Sequence, residues 1–181
     1  MKKYFPHLGG SLVLGSAALL GFLGKWEGQG QHVVYADKLA GGLPTVCKGL
    51  TRHVTTTPII VGQRWSAEKC QREETAALQR VQTALAQCFK VLPPQYVFDA
   101  ASSHAWNFGH PSTCNSLAMA SFNQGDWAKG CRRLSMSDAG RPVWSFTSHI
   151  NPKTGIKTYT FIQGLANRRH AETSFCRQGV V

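Results

Sequence analysis

The chain has 181 residues, 43% of them hydrophobic, and carries 20 Lys and Arg against 9 Asp and Glu, a formal net charge of +11. That length can bury a core without help from metals, which excludes a metal-dependent mini-domain. The basic excess points to a polyanionic partner, whether nucleic acid, an acidic envelope polymer or a membrane surface, and charge alone does not choose among them.

Lys2 and Lys3 precede an uncharged run, Leu8 to Gly24, that contains five glycines and two serines. As a helix it would span about 25 Å against a hydrocarbon core of roughly 30 Å, so it can just cross a bilayer. The leading lysines keep the N-terminus cytoplasmic, and everything after Gly24 is expected to be exported. The favoured reading is an uncleaved signal anchor that lipid holds only weakly. The alternative is a cleaved signal peptide. Ser16-Ala17-Ala18 has the small residues a signal peptidase requires, but cutting there leaves Leu19 to Leu23 stranded, and a cut after Gly24 sets Phe22 where a small residue is preferred. On this reading residues 1–24 are the anchor and 25–181 the exported domain.

Residues 25–65 are rich in Gly and short alternating runs, which predicts a small irregular β region. A helix should start at Ser66 with Glu68 in its first turn and carry Leu78, Val81, Leu85 and Phe89 along one face until Pro93-Pro94. Further helices are expected over 95–107, over 112–123 with Gly125 past its end, and over 126–134 with Asp126 as cap. Residues 143–147 and 158–162 flank Asn151-Pro152-Lys153-Thr154-Gly155 and predict a hairpin, after which 164–177 reads as helix.

Six cysteines, spaced too widely for a zinc site, fit an oxidised framework in an exported protein. Spacing alone allows fifteen pairings. The expected one is sequential, Cys47–Cys70, Cys88–Cys114 and Cys131–Cys176, since each brackets neighbouring elements. The histidines show no HExxH or clustered Cys/His spacing and no Gly-rich phosphate loop follows a strand, so neither a metal nor a cofactor is expected.

Glu27 follows the apolar run, and Asp37 comes ten residues later. An acid at the lip of a hydrophobic helix with a second acid within reach reads as a carboxyl pair. Its neighbours sharpen that reading. Trp26-Glu27-Gly28, Tyr35-Ala36-Asp37, Thr45-Val46-Cys47-Lys48-Gly49, Trp106-Asn107-Phe108-Gly109 and Gly164-Leu165-Ala166-Asn167-Arg168-Arg169 with Glu172 and Cys176 resemble, in this order, the phage lysozymes of glycoside hydrolase family 24. The closest resemblance is to the signal-arrest-release endolysins, which have a weak N-terminal anchor.

The resemblance implies an α+β lysozyme-like fold in two lobes: a small β-containing lobe, a long connecting helix and a helical lobe. It implies that Glu27 is the general acid, Asp37 the second carboxylate and Thr45 its partner in placing water. Such chemistry needs one protonated carboxyl to release the glycosidic oxygen and one ionised carboxyl to support the oxocarbenium-like transition state or activate water. Arg168 matches an arginine that pairs with the catalytic glutamate, whereas Arg169 reads as an exposed helix arginine. Asn107 and Gly109 match a loop in and beneath the cleft, with structural support expected ahead of sugar contact. The spacing from Glu27 to Asp37 is slightly longer than is commonest in the family, and Leu50 stands where relatives often have histidine.

The implied activity is hydrolysis of the β-1,4 bond between N-acetylmuramic acid and N-acetylglucosamine, leading to host lysis. The implied partners are peptidoglycan strands, the inner membrane as a transient anchor and the host secretion machinery. A monomer that binds no nucleic acid is expected, tethered at the inner membrane and then released to the periplasm. The rival readings are a lytic transglycosylase, which Asp37 and Thr45 disfavour, and a non-catalytic wall-binding module.

Overall fold

The computed structural model describes residues 11–26, 30–38 and 41–180. The chain divides into two compact units, one formed by Leu14–Ala84 and the other by the remaining residues.

The first unit opens with helix α1, Ala17–Trp26. Of the described part of the Leu8–Gly24 run, residues 11–24, only the stretch from Ala17 onward is helical. Residues 14 and 15 form a turn with Gly15 at φ +62°, a conformation that favours glycine, and the helix starts only at Ala17. Ser16 supplies the cap, its Oγ accepting from the Leu19 amide at 3.1 Å. Gly15 is pinned as well, because its amide donates to the buried Gln82 Oε1 at 2.7 Å. Leu19 and Leu23, four residues apart on one face, are buried. Among the described residues no helix is long and apolar enough to cross a membrane.

Strands β1 (Gln31–Asp37) and β2 (Leu43–Cys47) form an antiparallel ribbon. The other edge of β1 is held by residues 62–65: Val34 N donates to Gln63 O at 2.9 Å and Trp65 N to His32 O at 2.8 Å. Gly30 is needed where the chain enters β1, since a Cβ there would lie 2.8 Å from the Cys47 carbonyl carbon. Helix α2, Ala67–Ala86, follows, with Ser66 Oγ accepting from the Lys69 amide. Leu78, Leu85 and, beyond the helix, Phe89 are buried, while Val81 is only partly covered and Gln82 takes the interior place. The helix stops at Ala86, before Pro93-Pro94, because the Cys88 and Phe89 amides turn back onto the Leu85 and Ala86 carbonyls. The Cys47–Cys70 disulfide ties β2 to α2.

The second unit is mainly helical: α3 (Gln95–Phe108), α4 (His110–Cys114), α5 (Leu117–Phe122), α6 (Trp127–Arg133) and α7 (Gln163–Arg177). The single helix expected over 112–123 is two, because Ser116 turns its Oγ to the Met119 amide and starts a new helix there. Asp126 caps α6 through the Lys129 amide. Phe89 lies between Phe98 and Phe122, and Gly130 packs so close to Phe122 that a Cβ would sit 2.3 Å from its ring. Two disulfides, Cys88–Cys114 and Cys131–Cys176, brace this unit, the second clipping α7 to α6.

Strands β3 (Phe146–Ile150) and β4 (Lys157–Phe161) make the hairpin. Its first strand begins three residues later than the alternation predicts, because Trp144 takes φ +56° and turns its ring against His104 and Phe108.

Candidate active site

Glu27 lies outside the described residues; in the chain it directly follows Trp26, the last residue of α1. Asp37 ends β1. The register pairs Tyr35 with Thr45 and Asp37 with Leu43, so Asp37 and Thr45 are diagonal neighbours on one face of the ribbon. Diagonal positions lie roughly 7–8 Å apart at Cα, close enough for one water to touch both side chains. Asp37 is half-buried at the strand end, where the Gly42 amide donates to its carbonyl at 2.7 Å. Thr45 is 3% exposed and donates its hydroxyl to Leu43 O at 3.0 Å. That donation leaves the Thr45 oxygen free to accept, the role a water-placing hydroxyl requires. Leu50, the residue standing in place of a histidine, is fully buried and pairs with Val46 through both backbone bonds.

The helical unit contributes a buried charged layer between α3 and α7. Glu172, fully buried, accepts through Oε1 from Ser103 Oγ at 2.7 Å, Arg169 Nη2 at 2.6 Å and Arg168 Nε at 3.4 Å. Burial raises the Glu172 carboxyl above its ordinary pKa, while Arg169, Ser103 and Arg168 act in the opposite direction. The expectation that Arg169 is an exposed helix arginine is overturned: it is fully buried, donates to Asn107 Oδ1 at 3.0 Å, and stacks its guanidinium 4.7 Å from the Phe108 ring centroid. The reason is helical spacing, which sets Arg168 four and Arg169 three positions before Glu172 and draws both guanidinium groups to one carboxylate. Asn107 therefore supports Arg169, and Gly109, at φ +82°, ends α3 with its amide on Ala105 O.

His104 is also buried in this layer, with Nδ1 2.8 Å from Thr113 Oγ1 and its ring edge-on to Trp144 at 4.8 Å. Burial, then Arg169 and Arg168, hold its pKa well below the ordinary imidazole value. Ser103, His104 and the buried state of Arg169 escaped the sequence reading. The available signal was Arg168-Arg169 one turn ahead of Glu172 in a helix that ends in a disulfide cysteine.

A ribbon that aligns Asp37 with Thr45, together with a helical unit braced by buried charge, defines a lysozyme-like α+β protein with a small β lobe and a helical lobe. The phage lysozyme family model matches residues 24–172. The chain belongs to the phage lysozyme family and is a peptidoglycan-hydrolysing endolysin, a glycosidase of the muramidase kind. It is 29% identical over 160 residues to a SAR-endolysin of Pseudomonas phage phiKMV, covering 88% of this chain and 86% of the relative. Its fold is similar to that of an endolysin from Escherichia coli O157:H7 phage FAHEc1, with a TM-score of 0.74, 23% identity and coverage of 94% and 97% of the two chains. It is also similar to the muramidase domain of SpmX from Asticaccaulis excentricus, at a TM-score of 0.71 and 19% identity, covering 92% of this chain and 98% of that one.

Proposed function

We propose that the enzyme cleaves the β-1,4 bond between N-acetylmuramic acid and N-acetylglucosamine, with Glu27 as general acid and Asp37 as the carboxylate that activates water. The observation that carries this reading is the placement of Asp37 and buried Thr45 on one face of the β1–β2 ribbon. An ionised Asp37 removes a proton from water held by the Thr45 oxygen, while Glu27 protonates the leaving glycosidic oxygen. Inversion at the anomeric carbon requires the two carboxyls to be about 6.5–9.5 Å apart. Arg168, steadied by Glu172, is the partner expected to hold Glu27 in one rotamer. Glu27→Gln should lower turnover of purified peptidoglycan by about 10²–10⁴-fold, the range that loss of a general acid produces. Retention of most of the activity would refute the acid assignment. Reducing-end analysis separates hydrolysis from transglycosylation, which would leave a cyclised sugar.

Residues 1–24 act in this reading as a transient inner-membrane anchor inserted by the host secretion machinery, and 25–181 as the catalytic domain released to the periplasm as a monomer. Support comes from the Gly-rich run, from the likeness to a SAR-endolysin, and from the way α1 buries Leu19 and Leu23 in the folded unit. Leaving lipid thus exchanges one apolar environment for another. Gly9→Leu, Gly10→Leu and Gly21→Leu together should trap the protein in the membrane fraction and delay lysis. Gly15 is best left alone, since its φ of +62° would make any side chain there perturb folding as well. Lysis on the normal schedule would overturn the anchor.

A further inference from the structure

The β3–β4 hairpin carries a face that neither the hydrolytic reading nor the anchor uses. Every residue from Phe146 to Phe161 is exposed. The register pairs Phe146 with Phe161, Ser148 with Tyr159 and Ile150 with Lys157. Alternate residues of a strand point to opposite faces, so these six share one side while Thr147, His149, Thr158 and Thr160 share the other. Ribbons that alternate in this way ordinarily cover their apolar side with a core. Here that side stands open: Phe146, Ile150, Tyr159 and Phe161 are 41%, 59%, 66% and 42% exposed, and Ile156 at the tip is 62% exposed. The Phe146 and Phe161 rings meet edge-on at 5.5 Å, which gathers the apolar atoms into a contiguous patch.

The base of the hairpin is firm. Ser145 is buried and its carbonyl accepts from the Ile162 amide at 2.8 Å, while the Trp144 ring packs on His104 and Phe108. The ribbon is therefore a fixed projection from the helical unit. Its charge is of one sign: no Asp or Glu occurs between Asp138 and Glu172. Lys157 sits on the apolar face with its ammonium 5.3 Å over the Tyr159 ring, and Lys153 is at the tip.

We propose that this hairpin docks the enzyme on an anionic phospholipid bilayer. The Phe, Ile and Tyr side chains enter the headgroup–acyl boundary and Lys153 and Lys157 meet lipid phosphates. An apolar face with cationic edges and no carboxylate suits that boundary, where tyrosine also places a hydroxyl in water above a buried ring. A glycan strand is the poorer occupant, because its hydroxyls need hydrogen-bonding partners and the face offers only the Ser148 and Tyr159 hydroxyls and one ammonium. The docking depends on neither the catalytic assignment nor the N-terminal run, and it would hold a released enzyme at the membrane surface.

Hydrogen–deuterium exchange on the full chain tests this, since it reads the hairpin amides directly and every hairpin variant carries the same N-terminal segment. Vesicles of phosphatidylglycerol and phosphatidylethanolamine should slow exchange across residues 146–161 by about tenfold, as expected when bound chains outnumber free ones by roughly ten to one. Phosphatidylcholine vesicles should slow it little, and added salt should reverse the effect. The combination Ile150→Ser, Ile156→Ser and Tyr159→Ser should abolish this protection, whereas Thr147→Ala with Thr160→Ala, on the opposite face, should keep it. Unchanged hydrolysis of purified peptidoglycan checks that each variant is folded. Absence of protection by anionic vesicles, equal protection by neutral ones, or protection by purified sacculi alone would each overturn the proposal.

Discussion

The α3–α7 layer and the β1–β2 ribbon treat charge in opposite ways. In the first, Glu172, Arg168 and Arg169 are withdrawn from water and bound to one another, to Ser103 and to Asn107. In the second, Asp37 stands half-buried at a strand end beside the Thr45 hydroxyl, which donates to the Leu43 carbonyl and keeps its oxygen lone pairs for a further partner. Charge inside the helical unit is locked by geometry, so it serves rigidity. Charge on the ribbon keeps access to water, so it can serve chemistry. A buried ion group is costly to break, whereas a partly solvated carboxylate can lose its charge with little effect on folding.

The difference is tested most sharply at Asp37. Asp37→Asn should reduce peptidoglycan hydrolysis by about 10²-fold or more, while the unfolding free energy from urea titration stays within roughly 0.5 kcal/mol of the parent. A large loss of stability would show that Asp37 belongs with the structural charges.

Glu172→Ala should do the reverse of an ordinary surface change, destabilising the protein by about 3–5 kcal/mol because two buried guanidinium groups lose their carboxylate. Denaturant unfolding measures this. A cost below about 1 kcal/mol would mean that the layer is already open to water.

The smallest effect concerns His104. Its folded pKa is depressed by burial and then by Arg169 and Arg168, whereas the unfolded chain takes up a proton near pH 6.5. The neutral imidazole thus contributes stability that is fully present above about pH 6.5 and is lost as pH falls towards the folded pKa, at up to about 1.4 kcal/mol per pH unit. His104→Gln should flatten the fall in urea midpoint between roughly pH 6.5 and 5. An unchanged slope would assign the acid sensitivity to other groups.

Much of this was legible in the chain. Period-2 and period-3.6 patterns located the hairpin and the helices, Ser66 and Asp126 marked helix starts, and widely spaced cysteines indicated an oxidised framework whose sequential pairing is the one the folded chain contains. The candidate carboxyls stood out only through their neighbours, because a Glu and an Asp ten residues apart carry little information alone.

The sequence by itself determined what depends on near neighbours: element types, caps, the weak apolar run and the order of family motifs. Only the tertiary structure decided which charges are buried. Arg169 looks like any helix arginine until α3 brings Ser103 and Asn107 beside Glu172. Likewise, hydropathy reads Leu8 to Gly24 as one continuous segment, but packing places a turn at Gly15, caps α1 with Ser16 and buries Leu19 and Leu23. A hydropathy pattern reports the preference of each residue for an apolar surrounding. Whether lipid or a protein core supplies that surrounding is fixed by contacts between residues far apart in the chain, such as Gly15 with Gln82.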